Sequence, residues 1–156
     1  MNKKLDISYK ILDKEFFAEF GLPNYGSEGA AGIDLRANLE NKSSLTIEAN
    51  QTVLINTGIA IFIDNPNYAA FIYPRSGQGH KRGLVLGNLV GVVDSDYQGE
   101  IKVSLWNRSN QPQTIEHGER IAQLVFQLIT QVQLHQVEEF SSSQRGENGF
   151  GSTGIK

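Results

Sequence analysis

An all-β fold, a jelly-roll-like antiparallel barrel or sandwich, is what the 156-residue sequence predicts, and three features carry that expectation. Apolar residues come in short runs or alternate with polar ones, as strands require. The segments between them are rich in glycine, with 16 Gly against 4 Pro. Helical patterns of ten to fifteen residues do not recur between the strands, which argues against an α/β arrangement.

In chain order, the first element is a helix over residues 13–20 (DKEFFAEF), with Asp13 placed as its N-cap. Leu45 with Ile47, Val53 with Ile55, and residues 58–63 (GIAIFI) read as strands separated by polar turns. Residues 68–73 (YAAFIY) form another, followed by the run Leu84, Val85, Leu86. In 101–105 the alternation is strict: Ile101, Val103 and Leu105 share one face, Lys102 and Ser104 the other. Residues 91–100 (GVVDSDYQGE) join these last two as a hairpin. Trp106, at a strand end, reads as packing. Residues 121–129 are a near-continuous apolar strand, and Val132 with Leu134 begins a further one. At Ser141 the composition turns small, polar and Gly-rich. We therefore expect one β domain over residues 1–140 and a flexible C-terminal flap over 141–156, with at most one or two short helices in the whole.

Composition removes several functional classes. At 39% hydrophobic and 20% charged the chain is globular. A net charge of −3 argues against general binding to nucleic acid or a membrane surface. With no Cys, disulfides, thiolate nucleophiles and Cys-based zinc sites are excluded. Apolar runs fall short of a bilayer span, and the lysines at the start precede no apolar stretch. A cytoplasmic protein is expected. The Asn-x-Ser/Thr matches at Asn41 and Asn107 are then chance. A literal G-x-G-x-x-G runs from Gly149 to Gly154 but lacks the strand before it and the helix after it that dinucleotide binding needs. There is no P-loop, YPRSGQG around Ser76 is not a nucleophile elbow, and His80, His117 and His135 lack ligand-like spacing.

Other segments carry chemistry. Pro74-Arg75-Ser76-Gly77 follows a strand directly, putting a planar fork of donors, a hydroxyl and an approachable backbone together, as an anion site requires. Lys81 and Arg82 add to this local basic cluster in an acidic chain. An ordinary polar turn also accounts for it. In GVVDSDYQGE a carboxylate at the tip of a rigid hairpin can serve as a general base for water, while turn capping by Asp and packing by Tyr explain the same residues structurally. Asn88 is either a turn residue or an amide that reads a base edge with donor and acceptor together. AGIDLRA (31–37) reads as an edge strand with a surface ion pair, and GERIAQ (118–123) as a turn entering a strand. In the tail, Arg145 and Phe150 together suggest a flap that grips an anion and an aromatic ring.

Taken in order, AGIDLRA (31–37), PRSGQGHKRGLVLGN (74–88), GVVDSDYQGE (91–100), GERIAQLVF (118–126) and RGENGFGSTG (145–154) resemble the motifs of the trimeric deoxyuridine triphosphate nucleotidohydrolases (dUTPases) of the bacterial type. Asn148 departs from the pattern, standing where the last motif commonly has Gly. Asn tolerates positive φ better than most residues. The resemblance implies a jelly-roll subunit in a homotrimer with sites between subunits. It also implies hydrolysis of dUTP to dUMP and pyrophosphate, which keeps uracil out of DNA and supplies dUMP for thymidylate synthesis.

The same resemblance implies the roles. Asp94 would be the general base for a water attacking the α-phosphorus, with Asp96 the runner-up for that role and otherwise a turn-stabilising partner. Arg75, Ser76 and Gly77 would hold phosphates, joined by Gln123. Asn88, the backbone at Val92 and Val93, and the main chain near Lys102 would read uracil, and Tyr97 would pack beneath the deoxyribose. Phe150 would cover the base and Arg145 reach the γ-phosphate, aided by Gly151 and Ser152. Mg²⁺ would be held mainly by the triphosphate, with no direct protein ligand and Asp34 at most in its second shell. A dCTP deaminase of related fold, or a silent β-trimer acting as a binding protein, are the competing readings.

Overall fold

The computed structural model describes residues 5–147, so the expected flap residues Phe150, Gly151 and Ser152 lie outside the described residues. The elements are β1 (Ser8–Ile11), α1 (Lys14–Phe20), β2 (Ile33–Arg36), β3 (Ser44–Ile47), β4 (Thr52–Phe62), β5 (Tyr68–Pro74), one π-type helical turn (Gln78–Arg82), β6 (Leu84–Leu86), β7 (Gly91–Val93), β8 (Glu100–Asn107), β9 (Gln113–Glu116) and β10 (Arg120–Leu128). They form a sheet in the order β1-β4-β8-β6, a second in the order β2-β10-β5-β7, and a ribbon of β3 with β9. Every pairing is antiparallel.

One core joins the layers. Ile55, Val103 and Leu105 of the first sheet meet Leu35, Ile72 and Leu124 of the second and Ile115 of the ribbon. In β8 the period-two pattern is realised as expected: Ile101, Val103 and Leu105 are buried while Lys102 is exposed. The strand ends in Asn107, which is fully buried. Its amide donates to the carbonyls of Ile47 (2.9 Å), Glu48 (3.2 Å) and Gln111 (2.8 Å), stitching three segments together. A side chain so enclosed has no access to a glycosylating enzyme.

Helix α1 starts where expected. The Asp13 carboxylate accepts from the Phe16 N–H at 3.0 Å and from the Asn38 amide at 3.1 Å. Those two bonds hold its pKa below the ordinary 3.8. The helix buries Phe16 and Phe17, and the His117 ring packs edge-on against Phe16 and Phe20. Asp13→Ala is expected to cost about 1 kcal/mol in urea unfolding at pH 7, the usual loss for an N-cap. Because the folded-state pKa is depressed, that contribution is present above 3.8 and lost as pH falls below it. The gap between variant and wild type should therefore close toward pH 3; an unchanged gap would show that the carboxylate charge contributes nothing.

Two expectations change. The segments around Val53 and Gly58 are one strand, β4, not two. The polar residues between them form an irregularity: Asn56 pairs with Lys102 but Ala60 pairs with Glu100, leaving surplus residues on β4. Gly58 accommodates the bulge at φ +72, its N–H bonded to Glu100 Oε1 at 2.9 Å, and Thr57 Oγ1 donates to the Ile101 carbonyl at 2.6 Å. Val132 and Leu134 begin no strand; residues 129–137 carry no regular structure, and both side chains are largely exposed. Strand formation needs an edge to pair with, and this segment pairs with none among the described residues.

Candidate active site

The expected site residues fall into two groups, one at the C-terminal end of β5 and one in a cleft beside that strand. At its C-terminal end, Pro74 runs into Arg75, Ser76 and Gly77, after which the chain enters the π-type turn and the Gly79 N–H returns to the Arg75 carbonyl at 3.0 Å. Ser76 and Gly77 are exposed. Antiparallel pairing brings two more candidates alongside, since Gln123 of β10 sits opposite both Tyr73 and Asp34. Its amide donates to the Pro74 carbonyl at 3.1 Å.

Asp34 was expected to pair with its strand neighbour Arg36. Instead its Oδ1 meets Arg75 Nε at 2.8 Å and its Oδ2 meets Arg120 at 3.4 Å. Arg36 instead reaches the Gly118 carbonyl at 2.7 Å and lies 5.9 Å over the Phe20 ring. Alternation puts both side chains on one face of the strand, but each takes a partner from elsewhere in the chain, Asp34 from Arg75 and Arg120 and Arg36 from the Gly118 carbonyl. Burial lowers the Arg36 pKa, and the like charges of Arg120 and Arg75 lower it further against the opposing pull of Asp34. Three guanidinium groups thus surround one carboxylate, a local cationic excess suited to a polyanion. The Arg75 ion pair is made through Nε, and no described residue accepts from its Nη groups, so its fork is available to phosphate oxygens. Arg120 was not among the sequence candidates, although its place two residues after the Gly118 turn and three before Gln123 was a usable signal.

Beside β5, against its Ile72, lies a cleft of about 330 Å³ lined also by Leu54, Asn88, Val92, Asp94, Tyr97 and Lys102, among others. This volume suits a small-molecule ligand. β7 supports it by pairing with β5, Val93 opposite Ala70 and Gly91 opposite Ile72. Val93 is buried, so Asp94 emerges from an anchored strand and is itself exposed. The turn is closed by Tyr97 N–H to the Asp94 carbonyl (3.2 Å) and braced by Asp64 N–H to the Ser95 carbonyl (3.0 Å). Tyr97 Oη donates to the Glu100 carbonyl at 3.0 Å. Its ring lies across Gly99, where a Cβ would come within 2.4 Å of Oη, so only glycine permits that pose. Asn88 lines the cleft, and the neighbouring Leu89 is exposed at φ +64. Leu54 was missed in the sequence. Its signal was an apolar residue at the outward position of Val53-Leu54-Ile55, where alternation calls for a polar one.

Asp94 and Arg75 lie at different levels along β5. Asp94 follows Val93, the partner of Ala70, and so lies level with Ala69, whereas Arg75 follows Pro74. Six residues of extended chain separate those levels, about 20 Å at the usual strand rise. Arg145 is described within the exposed segment that follows β10. Among the described residues no group of three His, Cys, Asp or Glu side chains is placed to hold a metal, and no helix is long and apolar enough to cross a membrane.

A family model described as dUTPase matches residues 18–154. Curated proteins named deoxyuridine 5'-triphosphate nucleotidohydrolase are similar over nearly the whole length. The one from Glaesserella parasuis serovar 5 is 59% identical over 152 residues, covering 97% of this chain and 98% of its own. The one from Idiomarina loihiensis is 60% identical over 148 residues, covering 95% and 97%. Among solved structures, a variant dUTPase of Staphylococcus bacteriophage 80alpha with dUpNHpp superposes with a TM-score of 0.81 at 28% identity, covering 97% of this chain and all of that one.

Proposed function

The chain belongs to the dUTPase family and hydrolyses dUTP to dUMP and pyrophosphate, and we propose that Asp94 is the general base of that reaction in a site shared between subunits. The observation that carries this reading is the cleft with the Asp94 carboxylate among its lining residues. Asn88, with the Val92–Val93 backbone and the main chain near Lys102, reads the uracil edge. Tyr97 lies beneath the deoxyribose and leaves no room for a 2′-hydroxyl. Asp94 takes a proton from the water that attacks the α-phosphorus in line. Arg75, Ser76, Gly77 and Gln123 hold the phosphates, while Arg145, Phe150, Gly151 and Ser152 close over the substrate and exclude water.

A separation of about 20 Å between the levels of Asp94 and Arg75 along an extended strand exceeds the reach of one triphosphate's reacting atoms. This favours a closed homotrimer in which one subunit's hairpin faces another's phosphate turn. The exposed Leu54 and Val92 of the cleft, Leu89 next to Asn88, and Val132, Leu134 and Phe140 beyond β10 supply apolar surface for such contacts. Mg²⁺, where bound, neutralises triphosphate charge. Both Asp34 oxygens are engaged by arginines, so Asp34 fits a role behind Arg75 rather than as a direct metal ligand. We place the enzyme in the cytoplasm.

Release of pyrophosphate from dUTP, dTTP, dCTP and UTP, with ammonia followed in parallel, tests the reading. Pyrophosphate from dUTP alone is expected. A fitted pocket gains only about 1–3 kcal/mol against one methyl, and a hairpin that clashes with it adds to that. Ammonia from dCTP would assign the deaminase chemistry, and binding of dUTP without turnover would leave a silent binding protein.

A further inference from the structure

The turn that carries Ser76 and Gly77 is braced by a carboxylate hub outside every substrate contact named above. Glu119 Oε1 receives Gln78 Nε2 at 2.6 Å and Arg82 Nη1 at 2.5 Å, and its Oε2 receives the Glu116 N–H at 3.0 Å. Gln78, a buried polar side chain, also lies 3.3 Å from the Arg120 carbonyl and accepts from Arg82 Nη1 at 3.1 Å. Arg82 goes on to Gln113 Oε1 at 3.2 Å and to the Thr114 carbonyl in β9. These bonds complete a ring. Asp34 holds both Arg75 and Arg120, Arg120 follows Glu119 in the chain, and Gln78 follows Gly77.

The backbone of this turn has little stiffness of its own. Gly77, Gly79 and Gly83 lie within or beside it, and its π-type hydrogen bonding is rarely adopted without external support. Its conformation must therefore come from the side chains that tie it down. Phosphoryl transfer is sensitive to such ties, since a misplacement of about 1 Å costs about a hundredfold in rate.

We propose that Glu119 is a positioning residue for dUTP hydrolysis, acting through Gln78 and Arg82 to set where Ser76 and Gly77 meet the triphosphate. The proposal rests on the reading of Arg75–Gly77 as the phosphate-binding turn. A carboxylate is required because all three partners at the hub donate. In Glu119→Gln one oxygen becomes an NH₂ group that faces a donor, so one tie is lost if it replaces Oε2 and two if it replaces Oε1.

The test measures steady-state dUTP hydrolysis by Glu119→Gln, Arg82→Met, their double variant and Arg82→Lys, together with inhibition by deoxyuridine, which carries no phosphate. We expect kcat to fall about tenfold or more in each of the first two with the deoxyuridine Ki unchanged. The double variant should lose no more than the worse single, because both act through one hub, and Arg82→Lys should recover part of the rate. Wild-type kcat in folded Glu119→Gln or Arg82→Met, with only the melting temperature lowered, overturns the proposal. So does failure of both to fold, which would make the hub a folding element. Arg75→Ala separates the two levels of the argument. If it too retains full turnover, the phosphate-turn reading has failed; if it is inactive while Glu119→Gln is not, only the positioning role is lost.

Discussion

Asp94→Asn is expected to slow pyrophosphate release from dUTP by about 10²–10⁴-fold, the usual contribution of a positioned general base, while affinity for an uncleavable dUTP analogue stays within a few-fold of wild type. The asymmetry follows from the geometry. Asn fills the same space but cannot take a proton from water. The turn between β7 and β8 that presents it is held by the Tyr97 N–H to the Asp94 carbonyl, by Asp64 to Ser95, and by pairing of β7 with β5, all through backbone groups that the substitution leaves in place. The carboxylate makes no ion pair among the described residues, so the fold loses nothing with it. Single-turnover rates beside calorimetric affinities separate the two quantities. Turnover close to wild type would remove Asp94 from the mechanism, and loss of affinity in proportion to rate would make it a binding residue.

Mixing two inactive variants is expected to restore activity. Arg75→Ala removes the guanidinium fork at the phosphate turn and, like Asp94→Asn, should leave each homotrimer nearly silent. In randomly mixed trimers, a site that takes Asp94 from one subunit and Arg75 from another is intact whenever those two subunits carry the complementary lesions. With equal mixing that is about one site in four. Recovery of activity near that fraction, measured on trimers re-formed from equal amounts of two differently tagged variants, supports a shared site. No recovery in trimers shown to contain both tags would confine the site to one chain and require β5 to bend so that its two ends meet. The register of β7 on β5 argues otherwise, since it puts Asp94 level with Ala69 and leaves Arg75 at the far end.

The elements that the sequence displayed well are those whose signals are local. Asp13 caps α1 because its carboxylate reaches the Phe16 N–H three residues on, and the alternation of Ile101, Val103 and Leu105 puts one face of β8 in the core. Bonds between residues distant in sequence were less legible. Asp34 looked like the partner of Arg36 but belongs to Arg75 and Arg120. The polar stretch in β4 looked like a turn, but it is a bulge that Glu100 of the neighbouring strand supports through Gly58. Gln78, Arg82 and Glu119 gave no sign of meeting, since they lie on separate elements.

Residue order and side-chain type were enough to establish the β class, the family and the short segments that bear the chemistry, because turns, caps and two-residue periodicity are properties of a few neighbouring residues. Which carboxylate pairs with which arginine, how the phosphate turn is braced, and the wide spacing between Asp94 and Arg75 were decided only by the folded chain. Those relations depend on strand register, and register is set by the burial of both sheets against one shared core rather than by any single stretch of sequence.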